Sequence, residues 1–327
     1  MPTIRSFAIS LLLAGTAASQ TPKQSLLVLS KHDHTLSIVD PHSLKVVATA
    51  PVGIDPHEVV ASSDGNTAFV SIYGGGAYHA INVIDLEHAK ARNDIDTGAM
   101  NGPHGLDYVG GKLWFTAEGA KAVGRLNTST GTVEWIMGTG QDRTHMLRVT
   151  PDQKTIYTTN VSSGTISILE EKQIQPRTTW EQTVIPVGRG DEGFDVTPNG
   201  HELWTANAQD GTLSVVDLAT RHTVATLQAN VRTANRLRFT LDGKYALISM
   251  LSGGDLVVYD VATRKEFKRI PIGHGAAGLL MEPGGKRAFV SCGPDNYVAV
   301  IDLQTWKVLG HISAGGEPDG LAWASRQ

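Results

Sequence analysis

Gly102-Pro103-His104-Gly105-Leu106-Asp107, then Gly110-Gly111, then Lys112-Leu113-Trp114-Phe115-Thr116, reads as a strand entered through Pro-His, a tight glycine turn and a returning aromatic strand. Paired glycines take the positive φ angles of a short hairpin, and aromatic and β-branched residues suit a pleated, half-buried surface. The same plan recurs on both sides of this stretch. Val/Ile-rich segments close on an acidic or amide residue at Asp40, Asp85, Asn127, Glu170, Asp217, Asp260 and Asp302, with separations of 45, 42, 43, 47, 43 and 42 residues. A second marker keeps the same beat, at Asp64-Gly65, Gly110-Gly111, Asp152-Gln153, Asn199-Gly200, Asp242-Gly243 and Gly284-Gly285, and is read as a series of two-residue hairpin turns.

Each unit holds four short strands. In the unit beginning near Glu192 they fall at 193–197, 202–206, 212–217 and 222–227. Seven four-stranded units of this length predict an all-β chain, a seven-bladed β-propeller, with no helical periodicity of useful length. The segment 320–323 matches the first strand of a unit, and 26–30, 36–40 and 45–49 supply the other three. One blade is therefore expected to pair strands from the two ends of the chain, which hides the edges an open array would expose.

Composition agrees. The chain has 327 residues, 41% hydrophobic and 18% charged, as a globular protein should. A formal net charge of −4 and the lack of a basic stripe argue against nucleic acid as a partner. Arg5, the apolar run 7–13 and the small residues Ala17 and Ser19 before Gln20 fit a secretory signal, so residues 1–19 are expected to be removed and residues 20–327 to form one propeller, secreted or periplasmic. The apolar run is too short to span a bilayer. Cys292 is the single cysteine, so no intrachain disulfide framework exists. It is read as a small buried hydrophobe.

Units such as Asp210-Gly211-Thr212-Leu213-Ser214-Val215-Val216-Asp217-Leu218-Ala219-Thr220 and Ala288-Phe289-Val290-Ser291 resemble the YVTN-type repeat of secreted and periplasmic seven-bladed propellers. The resemblance covers essentially the whole mature chain and implies the fold. That architecture hosts binding proteins, lactonases, lyases and electron-transfer subunits, so it implies no single activity. Residues 102–130, with Pro103-His104-Gly105 and Trp114-Phe115-Thr116-Ala117-Glu118, are similar to one blade of the virginiamycin B lyase group, which would imply magnesium-assisted elimination.

Alignment of the first strands gives the candidate site. The equivalent positions are His57, His104, His145, Glu192, Asn235, Ala277 and Asp319, and all should lie at one mouth of the central channel. His57, His104, His145 and Glu192 are nitrogen and carboxylate donors on consecutive blades, suited to a divalent metal or to acid–base catalysis. Arg143, Arg189 and Arg232 precede ring positions by two or three residues and Arg236 follows Asn235; with Tyr73, Asn235 and Asp319 they are the expected substrate contacts. Guanidinium groups on adjacent blades would grip an anion by bidentate hydrogen bonds. The second-to-third-strand loops add His32, His34, His79, Glu118, Asn160, Asn207 and Asp295. No nucleophile elbow, nucleotide-binding loop or haem-attachment sequence is present. Two functions follow: a metal-assisted hydrolase or lyase acting on a small anionic molecule, or a non-catalytic propeller that binds a ligand or a protein partner. The chain is expected to act as a monomer.

Overall fold

The computed structural model describes residues 21–326, so the expected signal segment lies outside the described residues. Those residues form seven antiparallel sheets in a ring, the seven-bladed propeller the repeats predict. Blade 1 pairs Pro318–Ser325 with Gln24–Ser30, Thr35–Asp40 and Lys45–Pro51, in that order. Blades 2 to 7 begin at the channel with Pro56–Ala61, Pro103–Val109, Thr144–Val149, Asp191–Val196, Ala234–Phe239 and Ala276–Met281. The single helical turn among the described residues is a short 3-10 turn at Gly74–Gly76. None of their helices is long and apolar enough to cross a membrane.

Burial changes from the axis outward. Second and third strands are covered on both faces and are almost continuously apolar, as in Arg287–Cys292 and Leu36 to Val39. Outermost strands such as Thr132–Gly138 and His222–Gln228 alternate exposed and half-buried, because one face packs and the other meets water. Trp114 and Trp204 are fully buried on second strands. Cys292 is buried too, and burial followed by the nearby Asp295 charge pushes its thiol up to about 12.

The repeat markers have distinct causes. The carboxylates of Asp40, Asp217, Asp260 and Asp302 accept backbone N–H groups two or three residues on, at 2.9, 2.7, 2.7 and 2.6 Å, fixing each turn into the outermost strand. The second marker is corrected in most blades. Only Gly110-Gly111 is a two-residue hairpin with positive φ at both positions. Elsewhere five residues separate the strands, as from Ala61 to Thr67, and Asp64, Asp152, Asn199 and Asp242 instead accept a side-chain hydroxyl and a backbone N–H within the loop.

The innermost strands carry the feature that positions the site. In all seven blades the register with the second strand slips at the ring residue, a β-bulge. A second-strand hydroxyl fills the gap. Ser71, Thr116, Thr159 and Ser249 Oγ accept the N–H of Glu58, Gly105, Met146 and Arg236 at 3.0, 2.9, 3.2 and 3.1 Å. Thr116, Thr159, Ser249 and Ser291 hydroxyls donate onward to the ring-residue carbonyls of the next blade, His145, Glu192, Ala277 and Asp319, at 2.5, 3.2, 2.7 and 2.7 Å. Each of these blades therefore sets the height of its neighbour's ring residue.

Candidate functional site

All seven ring positions line one cleft of about 330 Å³ at the channel mouth, joined by Lys31, Tyr73, Arg143, Arg236, Leu251, Pro294 and Glu317. That volume lies at the small end of the roughly 300–1,000 Å³ typical of small-molecule sites. The histidines occupy the blade 2 to 4 side, while Leu251, Ala277 and Pro294 give the opposite wall an apolar character. Cationic and anionic linings are matched, Lys31, Arg143 and Arg236 against Glu192, Glu317 and Asp319.

The three histidines stack. Ring centroids are 4.9 Å apart for His57 and His104 and 3.8 Å for His104 and His145, and the Tyr73 ring stands edge-on to both His57 and His104. His104 is enclosed, and its Nδ1 has no partner and no solvent contact. Burial, then the neighbouring His145 and His57, holds its pKa well below the usual imidazole value, so it is neutral.

His145 has the opposite character. Its Nδ1 is hydrogen-bonded to Glu118 and its Nε2 lies 3.4 Å from Glu192 Oε1. Burial alone would lower its pKa, but the bonds and charges of Glu118 and Glu192 raise it above the ordinary imidazole value. Tyr73 donates to Glu118 Oε2 at 2.5 Å, and Asn235 donates to Glu192 Oε1 at 2.8 Å. Burial pushes Glu192 upward, and His145, Arg236 and Arg143 outweigh it, bringing Glu192 down to about 2. In this wall an imidazole lies between two carboxylates that favour its charged form.

His57 is the most exposed of the three histidines. Asp55 Oδ1 sits 2.9 Å from its Nε2, while its Nδ1 is 3.7 Å from Asp319 Oδ2. Asp319 is itself paired with Lys31 at 2.8 Å. The His57 bond leads a set that brings Asp55 to about 2, so Asp55 is ionised at neutral pH. Asp55 also receives the Gly75 N–H at 3.2 Å, tying the Gly74–Gly76 turn over the cleft.

Of the four arginines expected at the site, two reach it. Arg143 extends into the cleft with its Nε 3.6 Å from Glu118, and Arg236 lies in the floor, bonded to Glu58 and to Asn235 Oδ1 at 3.0 Å. Arg189 instead pairs with Asp210 at 2.8 Å on the surface and is 76% exposed, and Arg232 turns to the Gln209 carbonyl. One residue of offset decides this. The position two before each ring residue is left-handed in every blade, at Asp55, Gly102, Arg143, Gly190, Thr233, Gly275 and Glu317, with φ from 48° to 75°. Arg143 and Glu317 use that turn to reach the cleft and Asp55 uses it to reach His57, whereas Arg189 and Arg232 precede it. His32 pairs with Asp33 at the surface.

A metal held by His57, His104, His145 and Glu192 does not fit this arrangement. Among the described residues no three His, Cys, Asp or Glu side chains are placed to hold an ion. His104 Nδ1 and His145 Nε2 are sealed from solvent, and His57 Nε2 is engaged by Asp55. Sequence reading missed Lys31, Asp55 and Glu58; it noted Glu118 without its role. Asp55 has one local signal, since it lies two residues before His57 as Arg143 does before His145.

The Cytochrome D1 heme domain family profile matches residues 143–293, less than half of the chain. No curated protein sequence matches the chain. A functionally unknown protein from Desulfotomaculum acetoxidans superposes with TM-score 0.74 at 13% identity, over 93% of this chain and 99% of that one. A candidate 6-phosphogluconolactonase from Bacteroides uniformis gives 0.74 at 16%, over 92% and 99%. Kuenenia stuttgartiensis hydrazine synthase gives 0.68 at 17%, over 82% and 89%. What the chain shares with these structures is its architecture: it is a seven-bladed β-propeller.

Proposed function

We propose that the axial cleft is the active site of a hydrolase for a small ester or lactone, with His57 as general base. The observation that carries this reading is the Asp55–His57 pair, which holds Nε2 on a carboxylate and turns Nδ1 into a cleft that also contains Arg143 and Lys31. Nδ1 takes a proton from water as the water oxygen bonds to the carbonyl carbon. Arg143 and Lys31 stabilise the oxyanion, the acyl C–O bond breaks, and the proton passes to the departing alkoxide. Glu118, His145 and Glu192 are positioning residues that fix the wall against which His57 and His104 stack. This route passes through no metal.

Lactones are the first substrates to screen, since lactonase-named structures share the fold. Elimination substrates come second, after the resemblance of residues 102–130 to the lyase group. With a turned-over lactone in hand, His57→Gln should lower kcat/KM by about 10²–10⁴ while leaving the melting temperature in place, and Asp55→Asn should follow it. Undiminished turnover in folded His57→Gln overturns the assignment. Failure to turn over any ester, lactone or elimination substrate would favour a binding propeller, a role compatible with the sealed inner histidines. We also propose export of the chain, supported by residues 1–19; a mature N-terminus at Gln20 on the exported protein checks it.

A further inference from the structure

The channel has a second chamber, lined by other residues than the cleft and chemically different. Arg236 lines the cleft and Glu58 lines the far chamber, and their ion pair joins blade 6 to blade 2 between the two. At the level of this pair four other blades carry glycine. A Cβ on Gly278 would stand 2.1 Å from the Asp319 carbonyl oxygen, and one on Gly320 2.3 Å from that of His57, so the strands have no room for more side chains there.

Beyond this floor the bulge has a further effect. Residues three past each ring position also face the channel, and across blades 3 to 6 they alternate as Asp107, Arg148, Asp195 and Arg238. Asp107 and Asp195 each accept a backbone N–H from the next blade, Val149 at 2.9 Å and Phe239 at 3.1 Å. Arg148 donates to Asp195 Oδ1 at 2.6 Å. Arg238 is left over. Its one bonded nitrogen, Nη1, donates to the Phe194 and Leu237 carbonyls at 3.0 and 3.1 Å, so Nε and Nη2 keep their donors for the chamber. Burial, together with the neighbouring Arg148 and Arg236, lowers its pKa despite Asp195. Leu106, Leu241, Leu280, Met281, Leu321 and Trp323 give the remaining lining of this cavity of about 400 Å³ an apolar character, and Leu241 is 54% exposed.

We infer that this far chamber binds a small amphiphilic carboxylate, its head on the free edge of Arg238 beside Arg148 and its apolar body against Leu241, Met281 and Trp323. A carboxylate matches the planar fork of an arginine and accepts from the Nε and Nη2 donors that Arg238 leaves unused. The site is independent of the hydrolase reading, since no side chain of the Asp55–His57 pair lines it.

Calorimetric titration of the intact protein with octanoate tests it, with octylammonium as the charge-reversed probe and inorganic phosphate as the head without a body. Saturable one-to-one octanoate binding is expected, at least tenfold weaker in Arg238→Gln and Arg148→Gln, with octylammonium silent. Thermal melts identify folded variants. Absence of octanoate binding to wild type overturns the proposal, as does equal binding by folded Arg238→Gln and Arg148→Gln. Phosphate binding as tightly as octanoate would refute the amphiphile and leave an adventitious anion only.

Discussion

The two ends of one channel are built from the same seven strands, three residues apart, and share almost no chemistry. The cleft holds three imidazoles packed at a tilt, one buried and neutral, one set between two carboxylates, one bonded to an aspartate. The far chamber holds alternating aspartates and arginines among aliphatic walls. Backbone geometry cannot account for the difference, because the bulge recurs around the whole ring. A propeller supplies positions at two depths, and each depth takes its chemistry from side chains the packing does not constrain.

The floor between them is the place to break that separation. Glu58→Gln strands the buried Arg236 guanidinium and should cost about 3–5 kcal/mol in denaturant unfolding, whereas the double substitution Glu58→Leu with Arg236→Met removes both charges and should recover most of it. If Glu58→Gln is nearly silent, water reaches Arg236 and the two chambers are one.

Acid separates the ends next. Glu192 has its folded pKa depressed to about 2, so its contribution is present above the ordinary carboxylate value near 4.5 and is lost as pH falls from there toward 2. The stability difference between wild type and Glu192→Gln should therefore shrink by about 2–3 kcal/mol over that window. A constant difference would mean the His145 pairing does not form in solution.

The hydroxyl bridges should have a smaller effect, felt at the cleft. Thr116→Val leaves the Gly105 N–H and the His145 carbonyl without their shared partner and should cost about 1–3 kcal/mol by thermal or urea unfolding. It should also impair turnover more than its stability loss explains, since the His145 backbone would shift under the stacked rings. Smallest of all, Arg189→Ala should change neither melting temperature nor turnover, while Arg143→Ala lowers kcat. Equal effects of the two would place Arg189 back over the cleft.

How far the sequence could be read follows from the kind of signal each feature leaves. The repeat beat is long-range and redundant, so blade number and closure through 320–323 were legible. The ring was legible because aligned first strands put His57 through Asp319 at one height. Depth was not. A regular strand alternates with period two, so Arg148 and Arg238, three residues beyond ring positions, should face away from the channel; the bulge reverses that and leaves no mark in a single sequence. Convergence was not legible either, because equal height does not say whether rings point at one centre or lie on one another. The charge partners Glu118, Asp55, Glu58 and Lys31 come from loops and neighbouring blades that only the closed ring brings together.

Blade 1 gives that closure a consequence for assembly. Its channel strand, Pro318–Ser325, follows every other described strand in chain order, and it delivers Asp319, which pairs with Lys31 and lies 3.7 Å from His57. A partly synthesised chain can build six ring positions and still lack the seventh. The docking of this last strand therefore acts as a timer: the cleft stays incomplete, and its ligand unclaimed, until the circle has shut.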